Sequence, residues 1–324
     1  MTVDSPAVRL QGVTKTFGRH RAVDHLDLTI PRGSLYGLLG PNGSGKTTTI
    51  RMIMGILHPD EGSVALLGAA DLDETRRQRV GYLPEERGVY RKMRVLDFLV
   101  FLGEIRGLAR VEGRRRASDW LDRLGLEEWA DKRTEDLSKG MQQKVQFVAT
   151  VLHEPEFLIL DEPFSGLDPI NQDVLEDIVR DFHRRGRTIL FSTHLMHQAE
   201  RLCQRVCLIS RARKVLDGDL RELKRSEGDG AVEVEFEGPS GWWDGPEVSG
   251  VDLAADHVRI ALADGADPQA VLRRGLAAGA VIRRFEIAEP SLHEIFVRHA
   301  GGEGAVDAGV PRELALDGVA GGAA

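Results

Sequence analysis

Leu35-Tyr36-Gly37-Leu38-Leu39-Gly40-Pro41-Asn42-Gly43-Ser44-Gly45-Lys46-Thr47-Thr48-Thr49-Ile50 is the stretch on which the reading of the chain turns. Leu35 to Leu39 is a continuous apolar run, the pattern of a parallel strand covered on both faces. Residues 40–47 then match the spacing GxxxxGK[ST] at every fixed position, and Thr47 to Met54 reads as a helix. The glycines let successive backbone N–H groups turn inward onto phosphate oxygens, and the following helix points its positive end at the same charge. Lys46 is placed to neutralise β- and γ-phosphates, and the Thr47 hydroxyl to bind magnesium. Gly40, Pro41, Asn42, Gly43, Ser44, Gly45, Lys46, Thr47 and Thr48 are thus the candidate phosphate-binding residues.

Outward from this loop, two more apolar runs end in polar residues. Phe157-Leu158-Ile159-Leu160 ends in Asp161-Glu162, and Thr188-Ile189-Leu190-Phe191 ends in Ser192-Thr193-His194. Polar residues just past the carboxyl ends of buried parallel strands lie where open α/β sheets bind ligands. Asp161 is placed to hold magnesium through water, and Glu162, one residue further, to polarise a water attacking the γ-phosphate. The stretch between the phosphate loop and Asp161 is too long for one crossover, so a helical subdomain is expected at about 85–150.

That insert ends in Leu137-Ser138-Lys139-Gly140-Met141-Gln142-Gln143, and here the sequence resembles the ATP-binding cassette (ABC) family, whose signature reads Leu-Ser-Gly-Gly-Gln. Ser138 and Gly140 match; Lys139 and Met141 depart from the commonest form. Ser165-Gly166-Leu167-Asp168 resembles the family's D-loop, and His194 falls at its switch histidine. Tyr82-Leu83-Pro84-Glu85 falls at its Q-loop, with Glu85 in place of glutamine. Phe17 falls near its adenine-stacking aromatic, with a core residue as the alternative reading. The resemblance covers about residues 7–225. It implies an α/β fold: a P-loop NTPase (ABC ATPase) with a parallel-sheet core, the inserted helical subdomain and a small C-terminal α+β domain.

What the resemblance implies further is an ATP-hydrolysing subunit of a transporter. Glu162, His194 and Lys46 would be catalytic, and Thr47, Asp161 and Glu85 would hold Mg2+. Phe17, Glu85, Ser138, Gly140 and Asp168 would join the phosphate loop in binding ATP. Ser138 and Gly140 would reach the γ-phosphate of ATP on a second copy, so that a homodimer or heterodimer closes on two nucleotides and drives integral-membrane permease subunits. Glu85-Glu86-Arg87-Gly88 and a C-terminal appendage resemble bacterial export ATPases, including those for sodium efflux. The runner-up is a non-transport ABC protein acting on ribosomes or DNA. Such proteins carry two cassettes or a long coiled-coil insert, and this sequence shows neither.

Composition agrees with that choice. The formal net charge is −8, so nothing attracts a nucleic-acid backbone in general. Hydrophobic residues make up 42% and charged ones 29%, a globular balance. Cys203 and Cys207 fit neither a redox nor a zinc spacing, and read as small buried residues of a reducing cytosol. Neither a signal peptide nor a run near the roughly 18 apolar residues of a membrane span is visible. The expected location is cytoplasmic, peripheral on the inner face of the cell membrane.

Beyond about residue 225 the pattern changes. Arg221 to Gly230 reads as a charged linker. Val232, Val234 and Phe236 alternate with Glu233, Glu235 and Glu237, as on a half-exposed strand. Val258, Ile260 and Leu262 do likewise, and Val281 to Ile287 reads as a third strand. Asp267-Pro268 marks a helix start, and Ser291 with Glu294 has capping-box spacing before a final helix. Residues 231–300 thus read as a small α+β module whose part is regulation, dimer contact or docking. Residues 301–324, mostly Gly and Ala, read as a disordered tail.

Overall fold

In the computed structural model, residues 5–300 are described except 71, 72, 87, 89, 229, 255, 256 and 264. The expectation for residues 301–324, and Arg87 of the Glu85–Gly88 string, lie outside the described residues. The described residues divide into two compact units, one running to Asp219 and one from Leu220 to Ala300.

The first unit opens with two antiparallel strands, β1 (Val8–Phe17) and β2 (His20–Ile30), followed by β3 (Leu35–Leu39), α1 (Lys46–Ile53) and β4 (Glu61–Leu66). Next come α2 (Glu74–Arg77), β5 (Val80–Leu83), α3 (Val95–Ile105), α4 (Arg110–Arg123) and α5 (Lys139–Val151), with two short 3-10 turns at Glu127–Trp129 and Thr134–Asp136. The unit closes with β6 (Phe157–Asp161), α6 (Pro169–Arg184), β7 (Thr188–Thr193), α7 (Met196–Leu202), β8 (Arg205–Ser210) and β9 (Arg213–Asp219). The main sheet has the order β5-β6-β7-β3-β8-β9. Its first five strands pair in parallel, and β9 joins β8 antiparallel.

Every residue of β3, β6 and β7 is buried, as the unbroken apolar runs require of strands covered on both faces. A second sheet, β2-β1-β4, packs against it, and Leu10, Leu28 and Ile30 share one buried cluster with Leu38, Ile159 and the α1 residues Ile50 and Ile53. Helices α3, α4 and α5 pack on one another and form the insert expected between β5 and β6. Register aligns the ends of three strands: Leu39 stands beside Thr193, and Asp161 beside Ser192. The functional residues predicted at those ends therefore start from one edge of the sheet.

The second unit contains α8 (Leu220–Glu227), β10 (Val232–Glu237), β11 (Val248–Leu253), β12 (Val258–Leu262), α9 (Pro268–Ala277), β13 (Val281–Ile287) and α10 (Leu292–Ala300). Its sheet runs β11-β12-β10-β13, all antiparallel. Val232, Val234, Val258 and Ile260 meet Trp242, Trp243 and the α9 residue Val271 in its core. The caps stand where the sequence places them. Asp267 Oδ1 accepts from Gln269 N at 2.9 Å, and Ser291 Oγ accepts from Glu294 N at 3.2 Å while Glu294 Oε2 accepts from Ser291 N at 2.7 Å.

Two local readings change. Most of the expected linker Arg221–Gly230 is helix α8, which packs on α10; Arg298 donates to the Glu227 carbonyl at 2.6 Å and His299 pairs with the Glu227 side chain at 2.8 Å. Leu220 is buried and Leu223 half-buried, so the charges line one face of an amphipathic helix. The fourth strand, β11, carries no sequence signal because it lies at a sheet edge with almost every position exposed, leaving no burial period in its sequence.

Candidate functional site

Residues 40–45 turn sharply between β3 and α1, and two glycines permit it. A Cβ on Gly40 would lie 2.1 Å from the Ile209 carbonyl oxygen, and one on Gly45 would lie 2.3 Å from that of Ala22. Both take left-handed φ angles, 150° and 111°. Gly45 is also the N-cap of α1 and offers no side-chain acceptor, so the first-turn N–H groups stay open to an anion. Gly40→Ala is expected to cost about 2 kcal/mol or more, lowering Tm by roughly 4–8 °C; calorimetry on the purified chain checks it, together with a loss of nucleotide affinity.

Lys46 opens α1 and is only 6% exposed. Its Nζ donates to the carbonyls of Gly40 at 2.7 Å and Pro41 at 3.1 Å, which holds the ammonium over the loop. Burial pulls its pKa down, while the carboxylates of Glu162, Asp161 and Glu85 act against that shift.

Asp161 is fully buried at the end of β6. Its Oδ1 accepts from the Ser192 hydroxyl, and its Oδ2 has no protein partner. Burial raises its pKa, with Ser192 and Thr47 pulling the other way. The Ser44 hydroxyl of the phosphate loop is likewise buried without a partner. The buried Asp161 carboxylate beside the Thr47 hydroxyl fits a hard divalent cation, because such an ion prefers oxygen ligands. Among the described residues no cluster of three His, Cys, Asp or Glu side chains could hold a metal, so phosphate and water oxygens would complete its shell.

Glu162 sits at the centre of the strand-end cluster. It adopts a left-handed φ of 49°, uncommon for a non-glycine residue and of a kind that persists where surrounding structure enforces it. Its Oε1 accepts from the His194 backbone N at 2.9 Å and His194 Nδ1 at 2.7 Å. Its Oε2 lies 3.3 Å from the Thr193 hydroxyl, whose single proton is shared with Gln198 Oε1 at 3.1 Å. In a neutral His194 ring the Nδ1 bond puts the proton on that nitrogen and leaves Nε2 as an acceptor. Glu162 is thereby oriented through three contacts while only 8% exposed.

A cavity of about 290 Å³ lies against Lys46, Thr47 and Glu162. Phe17, His20 and Ala22 line it, with Asn42, Gly43, Gly45, Lys46, Thr47, Thr48, Glu85 and Glu162. Phe17 is 48% exposed, which settles against the core reading of this ring. Of the other predicted site residues, Gly40, Pro41, Ser44, Asp161 and His194 do not line the cavity themselves but adjoin its lining in the loop and at the strand ends, whereas Ser138, Gly140 and Asp168 neither line it nor belong to those segments. Ser138 is an exposed N-cap of α5, accepting from Met141 N at 3.3 Å, and Asp168 caps α6, accepting from Asn171 N at 3.0 Å. A Cβ on Gly140 would stand 3.6 Å from Leu167 and 3.9 Å from the Gly166 carbonyl, so the signature lies against the Ser165–Asp168 segment of its own chain. Gln143 fastens α5 there by donating to the Pro163 carbonyl at 2.9 Å. Ser192 and Thr193 belong to the polar end of the run that His194 closes, whereas His20, Ala22 and Gln198 carry no motif signal in the sequence.

The sequence model of the ABC transporter family matches residues 23–165, and that of the C-terminal domain of DrrA1-3-like ATP-binding proteins matches residues 218–300. The uncharacterized ABC transporter ATP-binding protein YhaQ of Bacillus subtilis (strain 168) is 43% identical over 89% of this chain and 97% of its own. The Nod factor export ATP-binding protein I of Burkholderia lata is 37% identical over 72% of this chain and 77% of its own. Among solved structures, that of an ATP binding subunit of an ABC transporter superposes with a TM-score of 0.64 at 31% identity, covering 68% of this chain and 92% of that one. Among the described residues no helix is long and apolar enough to cross a membrane. With its phosphate loop, its strand-end carboxylates and these relatives, the chain belongs to the ATP-binding proteins of ABC transporters, ATPases that dimerise and work with membrane permease subunits.

Proposed function

We propose that the chain powers export, and that its site works as follows. The phosphate loop with Lys46 and the N-terminus of α1 grips the β- and γ-phosphates, and Phe17 stacks on the base. Thr47, Asp161 and Glu85 would hold Mg2+, which when bound would withdraw charge from the β- and γ-phosphate oxygens. Glu162 takes a proton from the attacking water as the water oxygen bonds to the γ-phosphorus and the bond from the γ-phosphorus to the bridging oxygen breaks, releasing ADP and phosphate, while His194 holds the carboxylate in position. Ser138 and Gly140 contact ATP held by a second subunit, with the α5 N-terminus aimed at its γ-phosphate and Asp168 at the seam. Loss of the γ-phosphate removes contacts from both subunits, and the dimer opens.

The observation that carries this reading is the convergence of Glu162 and Lys46 on one cavity while Ser138 and Gly140 lie outside it. One chain offers two complementary half-sites, and a second subunit, identical or homologous, completes each. Export is supported by the Nod factor export relative, which is 37% identical over 72% of this chain. Such a subunit works on the cytoplasmic face, where ATP is supplied.

The direction is tested with the permease captured by this chain, co-reconstituted in vesicles with the ATP site outward. Sodium ions and a fluorescent hydrophobic drug serve as probe cargoes. ATP-dependent accumulation inside the vesicles is expected. ATP-dependent loss from preloaded vesicles would establish import and overturn the proposal.

A further inference from the structure

The cavity has an end that the phosphate chemistry does not use. Strands β1 and β2 are joined by a two-residue turn, Gly18-Arg19, in which Gly18 takes a left-handed φ of 60°. This tight turn puts Phe17 directly opposite His20 in the ladder. Directly opposed residues project from the same face with Cβ atoms about 4.5–5.5 Å apart. Both side chains are exposed, and both line the cavity that contains Gly43, Lys46 and Thr48. Lys15 Nζ stands 5.7 Å from the Phe17 ring centre and is held there by Asp60 at 2.7 Å.

We propose that His20 is a second base-binding residue: its imidazole, fixed beside Phe17 by strand pairing, extends the platform to the width of a purine and so sets the base preference of the site. Stacking on one aromatic ring tolerates any base, because every base has a π-face. Two rings side by side give a bicyclic base more contact than a pyrimidine. The imidazole nitrogens add a donor and an acceptor at the ring edge. The hairpin thus reads the base while the loop at residues 40–47 reads the phosphates. This inference rests on the nucleotide site proposed above.

The test uses the full chain and equilibrium binding of ATP, CTP and inorganic tripolyphosphate. His20→Ala is expected to weaken ATP about tenfold, to narrow the gap between ATP and CTP, and to leave tripolyphosphate unchanged. His20→Phe should restore most of the ATP affinity. The inference is overturned if His20→Ala binds ATP normally, if it weakens tripolyphosphate as much as ATP, or if His20→Phe is as weak as His20→Ala. Lys46→Ala separates the two levels: it should weaken both ATP and tripolyphosphate, and retention of tripolyphosphate would contradict the phosphate site and not His20.

Discussion

Glu162→Gln is expected to reduce steady-state ATP hydrolysis by about a hundredfold or more, the usual share of a positioned general base. ATP affinity should change little, because the phosphate grip lies in Lys46 and the loop amides. Glutamine keeps the length and one carbonyl oxygen, so the bond from the His194 backbone N, 2.9 Å in the native site, survives. What disappears is the acceptor that can take a proton from water. Bound ATP then stays intact, and the loaded protein should accumulate as a dimer in light scattering. His194→Ala removes the 2.7 Å Nδ1 contact and leaves the base in place but less firmly held, so a smaller loss follows. Turnover of Glu162→Gln equal to wild type, with Tm unchanged, would remove Glu162 from the role of base.

The difference between those two variants reflects what could be read from sequence. Gly40 to Thr47 was legible because a phosphate must be wrapped by consecutive amides, which confines the motif to one contiguous stretch. Asp161 and Glu162 were legible because a parallel strand delivers its chemistry at its carboxyl end, so position along an apolar run is itself a signal. The orientation of Glu162 was not legible. Its contacts come from Thr193 and His194, 31 and 32 residues away, and Gln198 acts on it only through Thr193. Pairing between strand ends depends on register that no local pattern encodes. His20 shows the same limit from the other side: an exposed histidine in a hairpin carries no burial period, and only the ladder partner Phe17 gives it meaning. Arg221 to Gly230 failed for a different reason. Its charge density suggested solvent on all sides, whereas Leu220 and Leu223 supply the narrow apolar stripe that a short helix needs.

Gly140→Asp separates the two half-sites without disturbing the fold. Gly140 has ordinary helical geometry, and the nearest atoms to an added Cβ, at 3.6 and 3.9 Å, are at normal contact distance. It lies in the first turn of α5, where an aspartate suits the helix dipole, so Tm should stay within a few degrees of wild type. The same carboxylate would face the γ-phosphate presented by a second subunit, and like charges at close range are strongly unfavourable. Binding of ATP to the variant should remain near wild type, since Gly140 does not line the cavity of its own chain. Turnover and nucleotide-dependent dimerisation should both fall to background. A mixture with Lys46→Ala then provides a sharper reading, for each variant alone has no complete site. In a mixed dimer the intact phosphate loop of the Gly140→Asp chain meets the intact Ser138 and Gly140 of its partner, and one site is whole. ATP-dependent heterodimer formation and partial hydrolysis should reappear on mixing. If mixing restores neither, or if Gly140→Asp alone hydrolyses ATP at the wild-type rate, the signature does not act across subunits and the opening-and-closing cycle loses its basis.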